Sequence, residues 1–232
     1  MKAWSSILVA GLAAAAVARA DLIGTFKTIT LDGSLGDWSG SDVLYNDAEI
    51  GDGDPLNSSY ENVYLANNGT DLFIGLDTKG TGGGDILNSY TRNIFVDADA
   101  NGASGFNGGW MTGGYDYLIQ YGSGGTVYSV YSFNGPNQST WSWSFISTIA
   151  YSYNDDAIEL SVPLSALGLS GGDTARVLLN VTGAGVTTET WASEFESGAE
   201  NYTVALVPEP TTAMLLLGGL AALAKLRRAR AA

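Results

Sequence analysis

The chain contains no cysteine and no histidine. Without cysteine it can form neither a disulfide nor a thiolate metal site, so stability has to come from a packed core and from any bound metal. Without histidine, Ser-His-Asp and Cys-His catalysis and histidine-bound zinc or haem are excluded. Basic residues are scarce as well: 10 Lys and Arg stand against 24 Asp and Glu, a formal charge of −14. Six of the ten (Lys2, Arg19, Lys225, Arg227, Arg228 and Arg230) lie near the two ends, whereas every acidic residue falls between Asp21 and Glu209. The middle therefore carries 4 − 24, or −20. Such a surface repels nucleic-acid phosphates, which argues for no nucleic-acid partner, and it suits divalent cations or a solvated extracellular face.

The apolar runs that do occur sit at the ends. Met1 to Ala20 has Lys2 as a charged start, Ile7 to Ala18 as an apolar stretch and Ala18-Arg19-Ala20 as a small-residue exit. This is the pattern of a secretory signal peptide, and it predicts a mature chain beginning at Asp21. At the other end, Val207-Pro208-Glu209-Pro210 is followed by the apolar run Ala213 to Ala224 and then by Lys225, Arg227, Arg228 and Arg230. Met214-Leu215-Leu216-Leu217 is apolar on every helical face, which predicts a C-terminal hydrophobic helix seeking lipid. Even with its flanking residues it reaches only about 24 Å against a bilayer core of about 30 Å. The basic end would stay in the cytoplasm while everything before it is exported.

The order of rigid Pro-Glu-Pro, short apolar helix and arginine cluster resembles the PEP-CTERM sorting signal of exopolysaccharide-producing Gram-negative bacteria. Pro208, Glu209 and Pro210 match its motif, and Arg227, Arg228 and Arg230 its basic end. The resemblance implies an exosortase-type membrane peptidase that recognises and removes the tail after a transient stay in the inner membrane. It places the product on the cell surface or in the extracellular matrix. Three regions follow: a signal peptide over 1–20, a folded domain over 21–206 and a sorting signal over 207–232.

Between the ends, glycine is abundant at 31 residues, and aromatic and β-branched residues recur in short runs. Leu72, Ile74 and Leu76 fall on one strand face, and Tyr115, Tyr117, Ile119 and Tyr121 on another. Asn67-Asn68-Gly69-Thr70 predicts a tight hairpin, with Asn-Gly supplying the positive φ of a type I′ turn. Thr140 to Tyr151 reads as one strand, and Leu164 to Leu167, after Pro163, as the only short helix of the domain. The expected fold class is all-β: a single antiparallel β-sandwich, jelly-roll or immunoglobulin-like. The glycine runs Gly80 to Gly84 and Gly122 to Gly125 precede no lysine-bearing helix start and are not phosphate cradles.

Leu31-Asp32-Gly33-Ser34-Leu35-Gly36-Asp37-Trp38 opens the domain; the Val63–Ala66 and Asp71–Leu76 hairpin follows; then come Phe95-Val96-Asp97-Ala98-Asp99-Ala100-Asn101-Gly102, Gly114 to Ile119, and Ile158 to Gly168. In this order, over roughly residues 28–182, the chain resembles the family 9 carbohydrate-binding-module and DOMON-like β-sandwich superfamily. That superfamily holds sugar, haem and unknown ligands, so its fold does not set the function.

Asp97, Asp99 and Asn101 place oxygen ligands on alternate residues before Gly102, as in the first half of a calcium loop. Position 12 is Gly108 instead of glutamate, which excludes an EF-hand. A more distant carboxylate must complete a Ca2+ site. Asp116 is the candidate, since an aspartate occurs at this place in the family that the chain resembles. The competing reading of the loop is a set of Asx turns.

Carbohydrate binding needs flat aromatic surface beside neutral hydrogen-bonding groups. Trp110, Tyr115, Trp141 and Trp143 are the candidates, with Trp38 assigned to packing. For catalysis only a carboxylate pair remains, drawn from Glu159, Glu194 and Glu196. The expectation is a non-enzyme that binds extracellular polysaccharide. A structural or adhesive matrix scaffold is the alternative, and a carboxylate-dependent glycoside hydrolase ranks below both.

Overall fold

A computed structural model describes residues 22–46, 60–78, 90–109, 113–121, 127–154, 157–183 and 200–208. Its strands are β1 (Leu22–Ile23), β2 (Thr25–Phe26), β3 (Val43–Asn46), β4 (Tyr60–Asn67), β5 (Asp71–Thr78), β6 (Tyr90–Asp97) and β7 (Tyr117–Tyr121). They continue with β8 (Tyr128–Phe133), β9 (Trp143–Thr148), β10 (Ala150–Tyr153), β11 (Ala157–Pro163), β12 (Thr174–Gly183) and β13 (Glu200–Thr203). Helix is confined, among the described residues, to three single 3-10 turns at Leu35–Asp37, Gly40–Asp42 and Leu164–Leu167. The third was expected and the first two were not. The signal peptide and the C-terminal hydrophobic helix lie outside the described residues. Within them no helix is long and apolar enough to cross a membrane.

The strands form a seven-stranded sheet in the order β1-β13-β12-β6-β7-β8-β9 and a six-stranded sheet in the order β10-β11-β5-β4-β2, with β3 also on β4. Both sheets are mixed, against the antiparallel expectation, because β1 runs parallel to β13 and β2 parallel to β4. The cause is one continuous entering segment that lends two residues to the edge of each sheet in turn. It crosses between them at Gly24, where a Cβ would lie 2.3 Å from the Tyr202 hydroxyl and 2.9 Å from Asn67 Oδ1. Only glycine lets the backbone pass that close.

The opposite margin repeats this device. The stretch read as one strand from Thr140 to Tyr151 is two: β9 pairs with β8 in one sheet and β10 with β11 in the other. The chain changes sheets at Ile149, whose side chain is buried. Each sheet is thus joined to the other by a crossing strand at both margins.

One core cluster draws on both sheets. Val63, Leu65, Leu72, Ile74 and Leu76 come from β4 and β5, and Ile94, Val96, Ile119, Val130 and Val177 from β6, β7, β8 and β12. The alternate positions of β4 and β5 are apolar as well, so their other face also needs cover. Ile29 and Trp38 supply it, packing on Ala66 and Phe73 in a second cluster. Trp38 lies flat on Gly75, where a Cβ would sit 2.8 Å from the indole. The packing role expected for Trp38 holds.

The hairpin between β4 and β5 forms by different means than its Asn-Gly pair suggests. Neither Asn68 nor Gly69 adopts a positive φ. The Asn68 side chain makes the turn, its Oδ1 accepting from the Thr70 and Asp71 amides at 2.8 Å each. Asn67, fully buried, ties this hairpin to the end of the domain: its Oδ1 accepts from the Tyr202 hydroxyl and the Ala205 amide, both at 2.8 Å.

Candidate functional site

Asp97 closes β6, and residues 98–109 and 113–116 of the following loop are described. Asn101 N–H donates to Asp97 Oδ1 at 3.2 Å and to Asp99 Oδ1 at 2.9 Å, drawing the two carboxylates together. Ala100 takes φ +52, uncommon for a residue with a Cβ. Ser104 Oγ donates to Asp99 Oδ2 at 3.1 Å and fixes the far end of the turn. Gly105 and Gly114 then let the two arms of the loop touch: a Cβ on Gly114 would stand 1.9 Å from the Ser104 carbonyl oxygen. The Phe106–Tyr115 bridge locks them.

Asp116 enters from this second arm. Its N–H donates to Val96 O at 2.9 Å and its carbonyl accepts from Phe133 N–H at 2.8 Å, which holds it between β6 and β8. Its Oδ2 accepts from Ala98 N–H at 3.0 Å. Carboxylate oxygens of Asp97, Asp99 and Asp116 consequently lie within 4.8 Å of one another. Two oxygens on one Ca2+, each at about 2.3–2.6 Å, can be at most about 5 Å apart. The three carboxylates are therefore close enough to be candidates for sharing one such ion.

The electrostatics point the same way. Burial raises the Asp116 carboxyl above the ordinary range, and the neighbouring Asp99 and Asp97 charges add to it. Burial likewise raises Asp97, although Arg176 opposes the shift. Asp97 is fully buried and paired with the Arg176 guanidinium, so three carboxylates and one cation leave a charge of about −2 when all are ionised. Asn101, the fourth expected ligand, has its Oδ1 accepting from Ala103 N–H at 3.1 Å. It shapes the loop through its backbone and side chain, its N–H joining the Asp97 and Asp99 carboxylates.

Beside the acids is a cavity of about 460 Å³. Asp99, Asp116, Tyr117, Ser132, Phe133 and Gly168 line it, so acidic and aromatic side chains share one cavity. Gly168 takes φ +63 at the end of the 3-10 turn after Pro163, and a Cβ there would approach the Tyr117 hydroxyl to 3.0 Å. Phe133 leads outward: its ring packs on Trp143 at 5.5 Å, and Trp143 on Trp141 at 5.7 Å. Phe106 braces both indoles, at 5.2 Å from Trp141 and 5.5 Å from Trp143.

The expected carbohydrate residues divide. Trp141 is 50% exposed, whereas Trp143 is half-buried beneath it. Tyr115 is wholly buried against Phe95 and offers no face to a sugar, because the loop that carries the acids closes over it. Trp110 lies outside the described residues, as do Glu209, Pro210, Arg227, Arg228 and Arg230; Pro208 is described and exposed. Among the acids weighed for catalysis, Glu194 and Glu196 are outside the described residues. Glu159 is fully buried and accepts from Trp38 Nε1 at 3.0 Å, Gly33 N–H at 2.8 Å and Asp32 N–H at 3.0 Å. It holds the opening motif in place.

Sequence reasoning missed Tyr117, Ser132, Phe133 and Gly168 as cavity walls. Tyr117 follows a candidate ligand and could have been suspected. Gly168 reaches the site through the fold, and no local pattern marks it. Neither the protein-family models nor the curated proteins contain a match to this chain.

Proposed function

We propose that this is an exported, non-catalytic protein whose two sheets form a β-sandwich that binds Ca2+ and extracellular polysaccharide. The crossings at Gly24 and Ile149 and the shared core support the sandwich. The observation that carries the binding function is the cavity lined by both the Asp99 and Asp116 carboxylates and the Tyr117 and Phe133 rings. Asp97, Asp99 and Asp116 would hold the ion, which when bound neutralises their charge and gives sugar hydroxyls a cation to approach. Phe133, Trp143 and the half-exposed Trp141 form an aromatic path from the cavity to the surface, suited to the apolar faces of sugar rings. Sequestration of Glu159 by three hydrogen bonds weighs against its use as a catalytic acid.

The signal-peptide pattern and the Pro208-Glu209-Pro210 tail make it an exosortase client of a Gram-negative cell surface or matrix. Mass spectrometry of both termini after host fractionation tests this: a mature chain from Asp21 to near Pro208 is expected, and an intact end at Ala232 would contradict sorting. Affinity electrophoresis through matrix glycans tests the binding. Retention should need calcium and weaken on Trp141→Ala or Phe133→Ala substitution. No retention by any glycan, with or without calcium, would sink the reading.

A further inference from the structure

The exposed large apolar residues of the described part of the chain fall into two groups. Ile23, Leu206 and Val207 stand at the β1–β13 margin, where the chain enters and leaves the seven-stranded sheet. Val127, Trp141, Phe145, Ile146 and Tyr153 stand on or next to β8, β9 and β10, at the other margin. Six strand steps at about 4.8 Å separate β1 from β9, so the two groups lie on the order of 29 Å apart along the sheet.

The second group has an unusual electrostatic setting. From Tyr117 to Asn154 there is no charged residue, in a chain with 24 acidic and 10 basic ones. Within this stretch β9 is the outermost strand of its sheet and carries no lysine or proline, the usual guards of an edge. It does carry a bulge: Tyr131 pairs with Phe145 and Val130 with Ser147, which leaves Ile146 as the extra residue. The bulge interrupts the ladder and turns side chains outward, so Phe145 is 59% and Ile146 38% exposed. The margin is shaped to offer side chains more than open backbone.

We infer that this margin is a self-association face, occupied by the same margin of a second copy of the chain. The charge distribution selects that occupant. Two copies, each at −20 between Asp21 and Glu209, repel wherever their acidic surfaces meet. An approach through this long uncharged stretch keeps their acidic surfaces apart. A neutral apolar and hydroxyl surface is also self-complementary, as a two-fold interface requires. Phe145 and Ile146 form its centre, with Tyr131 packed on Phe145 at 5.9 Å and exposed Ser144 and Thr148 beside them. Three side chains of this size expose far less than the roughly 800 Å² per partner of a standard interface, so the contact is weak and gains strength from many copies. This goes beyond glycan binding, since neither Phe145 nor Ile146 lines the cavity.

Sedimentation velocity of the domain over a concentration series tests it, with Phe145→Asp and Ile146→Asp as variants. Both side chains are exposed, so folding should be unaffected, and circular dichroism checks this. The wild type should sediment faster as concentration rises, more so in high salt, which screens the acidic repulsion. Each variant should remain a monomer throughout. A wild type that stays monomeric in high salt at the highest concentration would overturn the inference, as would variants that associate equally well. Loss of glycan retention in Phe145→Asp, with a monomeric wild type, would assign the patch to the glycan instead.

Discussion

Two parts of this molecule bury carboxylates, and they do so in opposite ways. Around Trp38, each buried acid has its own donors: Glu159 accepts from an indole and two amides, and Asp42 from Lys27 Nζ at 2.5 Å and Ser39 Oγ at 2.7 Å. Burial alone would raise the Asp42 carboxyl, but those hydrogen bonds outweigh it and the group sits below its ordinary value. In the Asp97 loop the acids face one another, and Asp97 and Asp116 are pushed up. Glu159, with both oxygens satisfied, is a structural part, and Asp42 has one oxygen held by Lys27 and Ser39. Acids brought within 4.8 Å of each other are in a place that a cation would improve.

Removing Glu159 should therefore have the largest effect on stability. Glu159→Ala leaves the Trp38 indole N–H and the Gly33 amide buried without acceptors, at about 3 kcal/mol or more. Urea unfolding should show that loss, while the calcium-induced rise in melting temperature stays as in the wild type. Asp116→Asn should do the reverse. With chelator present it should unfold within about 1 kcal/mol of the wild type, because the ionised group it replaces is disfavoured there. Its melting temperature should no longer rise with calcium.

Acid titration sharpens the contrast, because the two regions have opposite signs. Asp42 is lowered, so its contribution is present above the ordinary value of 3.8 and lost as pH falls through its folded value. Asp97 and Asp116 are raised, so the folded state holds their protons more tightly. Their contribution is present below 3.8 and lost as pH rises through their folded values. Thermal melts of chelated protein from about pH 3 to 7 should show Asp42→Asn flattening the acid-side loss and Asp116→Asn the loss on the rising side. The smallest effect on stability belongs to Trp141→Ala. Half its ring is already in water, so the fold should lose only about 1 kcal/mol while glycan retention falls.

The same contrast shows what the sequence could convey. Strand faces were legible where one residue alternates with the next, as in Leu72, Ile74 and Leu76, all buried in the core. The acids of the candidate cation site were legible because Asp97 and Asp99 are two residues apart, and Asp116 because a resemblance pointed to it. The partners of Glu159 were not, since Gly33 and Trp38 lie more than a hundred residues away in the chain. Tyr115 misled for a related reason. An aromatic residue near a polar loop reads as exposed, and only the closure of Phe106 over the sheet shows it to be interior. The split at Ile149 was equally hidden, because β9 and β10 keep one extended composition while they change sheets.

Unlike Glu159 and Asp42, the Asp97, Asp99 and Asp116 carboxylates are proposed to form a cation site. Isothermal titration of the domain with calcium at neutral pH tests it most directly. Saturable binding of about one ion per chain is expected, abolished by Asp116→Asn and untouched by Asp42→Asn. No heat of binding in the wild type, with no change in melting temperature on adding chelator, would contradict it.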